Sequence, residues 1–537
     1  MTLALFADTG KAASRRRASE SISKLLLVAG IVLAALCEAI ASTVLSVARL
    51  DMSGDLYATS DEFSLLNVGY TAAKLAFFLL SPWLMYRLSA QTCIRAATGL
   101  LTISCGLAAL TSDLDFQLAL RLFQGMTGGV VLVCGQTILL TAFNKNDQPM
   151  IQAVFAMGAV VAPTTLAPSV QGWLVETLSW DWVFLLIVPT GVVSTLCLSL
   201  VRIEDDTTSI GNGFDWVGFS LFGAATFCLT FVLGQGNRWD WLEEPFIVNL
   251  ILLGSSALVL FTLHQGRSQA TTALLDLSVF RNQDFAFGFL ASFAAGFALF
   301  GSAYVIPSFA VSILKMTATE AGLLLLPSSG LFVCSLFLTA FLVGKVNLPP
   351  VITVPLGILI FMTTMWMLSG SNADSGPQDM MPAILLRGLG LGFLFLSITL
   401  ITLVGLPNSI AAHGVALFNV GRQMGGLLGV AFLETLIDNQ TALNKTILAS
   451  HLLPGRIEVT ERLASLTSLL IARGVEASTA SRAAIRMIGQ ELVYQASVIA
   501  FDTAFMTIAF FFCVAAPVLV VSKIIISKIS SRNLDNT

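Results

Sequence analysis

Seven charged side chains stand inside long apolar stretches: Glu38, Lys74, Arg121, Arg387, Arg422, Glu434 and Asp502. A charge in the hydrocarbon of a membrane is costly, which makes each of them a functional candidate by default. At 1.5 Å per helical residue, Glu38 lies ~20 Å along its helix from one membrane surface, and Lys74 lies ~17 Å from the other. With a hydrocarbon core ~30 Å thick, both fall near its middle. Two chemistries follow, and the sequence leaves both open. An unpaired Glu38 in a low-dielectric cavity can exchange a proton in competition with a cationic substrate. A Glu38 paired with Lys74 stays ionised and carries protons poorly. In the second case Lys74, Arg121, Arg387 and Arg422 leave the interior net positive and suited to anionic substrates. Glu434, Arg121, Arg387 and Asp502 stand nearer helix ends, where snorkelling or a structural ion pair is the plainer reading. Asp502 is the reserve proton carrier.

Other chemistries are missing from the sequence. His264, His413 and His451 are scattered, the eight cysteines form no CxxC, and nothing resembles a metal site. Gly388-Leu389-Gly390 opens a membrane helix and follows no strand, so it is not a nucleotide motif. No Walker sequence or hydrolytic constellation is present. Neither an enzyme nor a cofactor is expected.

The elements that must position these residues are membrane helices. Of 537 residues, 56% are hydrophobic and 11% charged, against roughly 25% charged in globular domains. That excludes a soluble enzyme, a disordered chain and a nucleic-acid binder. About fourteen stretches suffice to cross a bilayer, near 25–47, 63–85, 92–111, 116–142, 153–174, 183–201, 216–235, 246–264, 285–313, 320–343, 350–369, 381–405, 414–436 and 496–521. The apolar run of the first continues past Ala39-Ile40-Ala41 and carries Glu38, so it reads as an uncleaved span. With the N-terminus inside, fifteen Lys and Arg fall on the inner side and three in short outer loops. The bias places both termini in the cytoplasm. Segment 438–495 is then extracytoplasmic. Leu463, Leu466 and Leu470, then Ile485, Ile488 and Leu492, are spaced as two amphipathic helices lying on the outer membrane face.

A weak repeat links the fourth stretch, Arg121-Leu-Phe-Gln124-Gly125, with the twelfth, Arg387-Gly388-Leu-Gly390-Leu-Gly392. Repeated helix bundles around a central site are a common plan of secondary transporters. Six segments in order carry a family resemblance: Ser42–Ala48, Arg121–Gly125, Trp180–Gly191, Phe214–Gly218, Leu275–Asn282 and Phe418-Asn419-Val-Gly421-Arg422-Gln423. The chain resembles the fourteen-span drug:proton antiporters of the major facilitator superfamily, typified by EmrB and QacA. It departs from them at three places. Ala41 replaces an Asp before Ser42. Pro82, Tyr86 and Ser89 stand where Gly, Asp and Gly are usual. Ala167-Pro168 and Gln171-Gly172 replace Gly-Pro and Gly-Gly.

The resemblance implies an all-α polytopic fold in the bacterial inner membrane. A cytoplasmic basic tail (1–24) leads to a six-helix half (25–201), an inserted two-helix hairpin with flanking loops (202–284), a second six-helix half (285–521) and a cytoplasmic tail (522–537). The hairpin is expected outside the central cavity, with neither Gln235 nor Phe227 lining it. Gln124, Gly125, Pro168, Arg387, Asn419, Arg422 and Gln423 are expected in motifs or at the cavity. The implied function is export of amphipathic small molecules or drugs in exchange for protons. A periplasmic adaptor and outer-membrane channel are implied as partners. Lys74 and the altered span-five motif favour export of a defined acidic metabolite, such as a siderophore. A non-transporting sensor or scaffold on the same fold is the alternative of another class.

Overall fold

The computed structural model describes residues 2–201, 213–267, 274–452 and 456–535, with side chains between 21 and 521 save at 50 and 520. The side chains of residues 1–20, most of the 202–215 loop and residues 453–455 lie outside the described residues.

Among the described residues, fourteen long helices account for the expected spans. They are α1 (Thr2–Val47), α2 (Ser60–Leu88), α3 (Ala90–Ala108), α4 (Leu114–Ala142), α5 (Gln148–Thr177), α6 (Asp181–Leu200), α7 (Trp216–Gln235) and α8 (Pro245–Arg267). There follow α9 (Gln283–Ser312), α10 (Ala318–Gly344), α11 (Pro350–Leu368), α12 (Pro377–Leu403), α13 (Asn408–Ser450) and α14 (Ala477–Asp535). Thirteen are long and apolar enough to cross a membrane; α3 falls short because Gln91, Arg95 and several Thr and Ser dilute it. Capping boxes open α2 (Thr59 with Glu62) and α10 (Thr317 with Glu320), and Asp113 and Asn282 cap α4 and α9. Within α5, Pro163 removes a backbone donor, and residues Met157–Leu166 widen into a π-helical turn.

Helix pairing follows a pattern that occurs twice. α1 packs on α5 and α6, α2 on α4, and α3 on α4 and α6. In the same order, α9 packs on α13 and α14, α10 on α12, and α11 on α12 and α14. The two sets meet where α5 touches α10 and α12, and where α13 touches α2 and α4. Lipid supplies no hydrophobic drive for such contacts, so small residues that let backbones approach must carry them. A Cβ on Gly125 would collide with the Tyr70 carbonyl, and one on Gly425 with that of Phe293. On the outer faces Leu196, Leu252, Leu253, Val259, Leu260, Leu263 and Leu359 are exposed, as a lipid boundary requires.

Arg87, Arg95, Lys145, Arg267, Arg281 and Lys345 gather at one end of the bundle, here called the basic end. There the hairpin α7–α8 is clasped by Asp215. Its Oδ1 accepts from the Gly218 N–H at 2.8 Å and lies 2.9 Å from His264 Nε2, while Oδ2 accepts from Gln265 Nε2 at 2.7 Å. Burial alone would raise this carboxyl, but these donors outweigh it and hold it below the ordinary carboxylate range. At the opposite end the hairpin loop grips its neighbours. Arg238 pairs with Asp61 at 2.8 Å, Asn237 donates to Asp438 at 2.6 Å, and Trp241 Nε1 donates to Thr435 at 3.0 Å.

The structure corrects two expectations. The hairpin is not wholly peripheral: α7 packs on α2, and Leu233, Gly234 and Gln235 border the central cavity, although Phe227 does not. The loop contacts just named pull the end of α7 inward. Segment 438–495 is also not two separate amphipathic helices. The helix carrying Leu463, Leu466 and Leu470 is distinct (Ile457–Ala472), but Ile485, Ile488 and Leu492 belong to α14, which runs unbroken into the last span. α13 likewise continues past the apolar stretch to Ser450. A change from apolar to polar faces marks where a helix leaves the membrane, not where it ends.

Candidate functional site: a cavity floored by buried charge

A cavity of about 1180 Å³ lies among α1, α2, α4, α5, α9, α10, α13 and α14, with the end of α7 at its edge. Its mouth, formed by Arg49, Ser64, Lys315, Asp438, Thr441, Gln490 and Tyr494, is at the end away from the basic end. Its floor, near Leu132, Val160, Asn419 and Arg422, is at mid-depth. The walls mix Phe78, Phe300, Leu325, Val430 and Phe501 with Ser42, Asn67, Thr71, Thr164, Pro168 and Gln423. That combination suits an amphipathic guest. The kink of α5 turns Ala159, Val160, Pro163, Thr164 and Pro168 toward it.

The two mid-membrane charges meet at its wall. Lys74 Nζ lies 2.5 Å from Glu38 Oε1, with both residues buried. The sequence left this pairing open; the structure shows it formed. Tyr70, one helical turn before Lys74, donates its hydroxyl to the same Glu38 oxygen at 2.9 Å. The Tyr70 ring carries the Arg121 guanidinium on its face, 4.3 Å from the centroid. Arg121 Nη1 donates to the Ala41 carbonyl at 2.8 Å and to Gln124 Oε1 at 2.9 Å. Gln124 in turn donates to the Ser104 carbonyl at 3.3 Å. Gly128 makes room for the cluster: a Cβ there would stand 3.0 Å from Glu38 Cγ. One carboxylate, two cations and a phenol from α1, α2 and α4 thus form a single buried group.

Arg121 and Arg387 do not snorkel. Both are completely buried. Arg387 points inward, its Nε donating to Ser302 Oγ at 2.9 Å, but it does not line the cavity. Asp502 is elsewhere too, in a shallow depression with Ser369, Met506 and Phe510. Glu434 lines the cavity near the mouth. Arg422 lies at the floor, its Nη2 2.5 Å from Asn419 Oδ1. Among the described residues no carboxylate forms an ion pair with it.

Sequence reasoning missed Tyr70, Gln136 and Gln152. Tyr70 had one available signal: it precedes Lys74 by four residues, so both project from the same helix face. Amides within a span carry a weaker signal, since a single one is easily satisfied by a backbone carbonyl.

The sequence profile of the Major Facilitator Superfamily matches residues 31–430. The chain belongs to that superfamily. Among its relatives is the colistin resistance protein EmrB of Acinetobacter baumannii, 28% identical over 423 residues, covering 76% of this chain and 80% of that one. The multidrug export protein EmrB of Haemophilus influenzae is 26% identical over 434 residues, covering 80% and 84%. The fatty acid resistance protein FarB of Neisseria gonorrhoeae is 24% identical over 491 residues, covering 91% and 94%. In fold the chain is similar to a bacterial homolog of the human lysosomal transporter Spinster, solved inward-facing and unoccupied. The TM-score there is 0.54 at 14% identity, over 94% of this chain and 98% of that one. As a superfamily member the chain is a multi-pass secondary transporter of small amphipathic molecules in the bacterial inner membrane, not an enzyme.

Proposed function

We propose that the chain is an EmrB/QacA-type exporter, expelling amphipathic small molecules from the cytoplasm in exchange for protons. The observation that carries this is the cavity itself: it holds a buried, cavity-lining Glu38 at mid-depth beside an apolar, aromatic wall. In this reading the basic end and both termini face the cytoplasm. The conformation described is then outward-open, with the two repeated six-helix sets rocking around the cavity. A proton reaching Glu38 through the open mouth would neutralise it and loosen its hold on Lys74. Return of Glu38 to the ionised state on the other side would restore the pair.

A second reading, export of acidic amphiphiles such as a siderophore, is favoured by Arg422, a cation at the floor with no carboxylate ion-paired to it among the described residues. Charge balance constrains where such an anion sits. An anion that took Lys74 from Glu38 would bring a proton with it, and the two would travel together. Proton exchange therefore requires the anion to sit on Arg422. The adaptor expected from the family resemblance would dock on the helical extension formed by the ends of α13 and α14 and helix Ile457–Ala472. Deleting 456–490 should abolish co-purification of a periplasmic adaptor, and equal recovery from both forms would remove that claim. No further folded domain accompanies the helices among the described residues to carry a sensory role.

Expression in a pump-deficient bacterial host tests the function. Raised tolerance to amphipathic compounds, with lowered cellular accumulation, is expected. Graded panels of acids, neutral compounds and cations separate the two readings. Unchanged tolerance and accumulation across all three panels would contradict both.

A further inference from the structure

A file of buried amides leads away from the cavity floor. Arg422 donates to Asn419 Oδ1 at 2.5 Å, and Asn419 Nδ2 donates to Gln136 Oε1 at 3.0 Å. Gln136 Nε2 donates to Gln152 Oε1 at 3.3 Å, and Gln152 Nε2 to Gln148 Oε1 at 3.2 Å. Gln148 Nε2 ends the file on the carbonyls of Leu139, Leu140 and Phe143, at 3.1, 3.0 and 2.9 Å. All four amides are nearly inaccessible. Every link points the same way, from a cation to the carbonyl-rich C-terminal end of α4. A file so aligned is polarised along its length, and each bond strengthens the next.

The file also crosses between the two repeated sets. Asn419 and Arg422 stand on α13, Gln136 on α4, and Gln152 and Gln148 on α5. Asn419 to Gln136 is the crossing. Nearer the basic end, the Tyr86 hydroxyl donates to the Ser409 carbonyl at 2.7 Å, tying α2 to α13. To open the basic end, α13 must separate from α4 and α2, and the Asn419–Gln136 bond must break.

We propose that Gln136 is a positioning residue of the transport cycle. From α4 it holds Asn419, and through Asn419 it aims Arg422 at the cavity floor, while the same bond keeps the basic end closed. Floor and gate are thus one mechanical unit. A guest that draws Arg422 toward itself weakens the link that closes the opposite side. This rests on the alternating-access reading above, but its test needs no substrate, so the two can fail separately.

Hydrogen–deuterium exchange of the full chain in lipid nanodiscs reads the gate directly, because exchange follows the population of opened states. Gln136→Asn keeps the polarity but shortens the reach. Its loss of one buried hydrogen bond should speed exchange roughly threefold to tenfold in peptides 137–147 and 408–418. Exchange should slow in 42–49 and 434–441 as the mouth closes. Asn419→Ser, which breaks the same bond from the other side, should give the same pattern, and the double variant should go no further than either single one. It also serves if Gln136→Asn does not fold. Unchanged exchange at the basic end would overturn the proposal. So would a rise spread over all helices, which is what a merely structural role predicts.

Discussion

Lys74 meets Glu38 because α1 and α2 run in opposite directions and each residue lies near the middle of its expected membrane stretch, 25–47 and 63–85, so depth alone brought them level. This much was legible in the sequence. What the pair would do there was not, because the answer depends on Tyr70 and Arg121, whose positions follow from how α2 packs on α4. A tyrosine in an apolar helix reads as filler until its hydroxyl is seen on a carboxylate. The arginines read as snorkelling because they stand near helix ends, yet both are buried, Arg121 bonded to the Ala41 carbonyl and Gln124 and Arg387 to Ser302, while Arg121 Nε and Nη2 and Arg387 Nη1 find no partner among the described residues. Glu38→Gln leaves Lys74 as an uncompensated buried cation, at a cost of about 3–5 kcal/mol. Folded yield should drop sharply, and Lys74→Met added to it should restore the yield, read by size-exclusion chromatography of matched preparations. Full yield from Glu38→Gln alone would mean that the pair does not matter for the fold.

At the level of elements, the tight turn between α2 and α3 stores strain. Ser89 sits there at φ 71°, ψ 146°, a conformation that glycine tolerates and serine does not. The family pattern places a glycine at this point. Ser89 compensates in part by capping α3, accepting from the Thr92 N–H at 3.3 Å. Since glycine costs only a few tenths of a kcal/mol as a cap, Ser89→Gly should stabilise the protein by about 1 kcal/mol net. Thermal unfolding in detergent should show a higher midpoint, and a lower one would refute the strain. Tyr86, standing in place of the family's Asp in the same segment, still links α2 to α13 through its bond to Ser409. The Asp215 clasp has a pH signature. Its carboxyl is held low in the folded state, so its contribution is complete above the unfolded value near ~3.9 and lost as pH falls through the folded value. Asp215→Ala should remove about 1 kcal/mol at neutral pH. Backbone exchange in 214–222 should rise accordingly, and the difference from the parent should vanish in acid. The helices were legible from apolar run lengths, whereas the inward tilt of α7 and the continuity of α13 and α14 were not. Those depend on loop contacts and on helices that outlast the membrane.

For the whole molecule, pairing the spans in two repeated sets leaves one large space between them, open at one end and closed at the other by the amide file and the Tyr86 bond. The repeat between Arg121 and Arg387 pointed to such a plan, but the two arginines came to differ in use: one joins the Glu38 group beside the cavity, the other ties α12 to α9 through Ser302, away from the cavity. The central claim is that a proton gradient drives amphiphiles through this space by way of Glu38. Purified protein in liposomes, with an imposed pH gradient and a fluorescent amphiphile, measures it most directly. The account predicts gradient-driven accumulation that stops when an ionophore collapses the gradient. It predicts none with the folded Glu38→Gln/Lys74→Met variant. Accumulation by that variant equal to the parent's, or transport by the parent indifferent to the gradient, would contradict it.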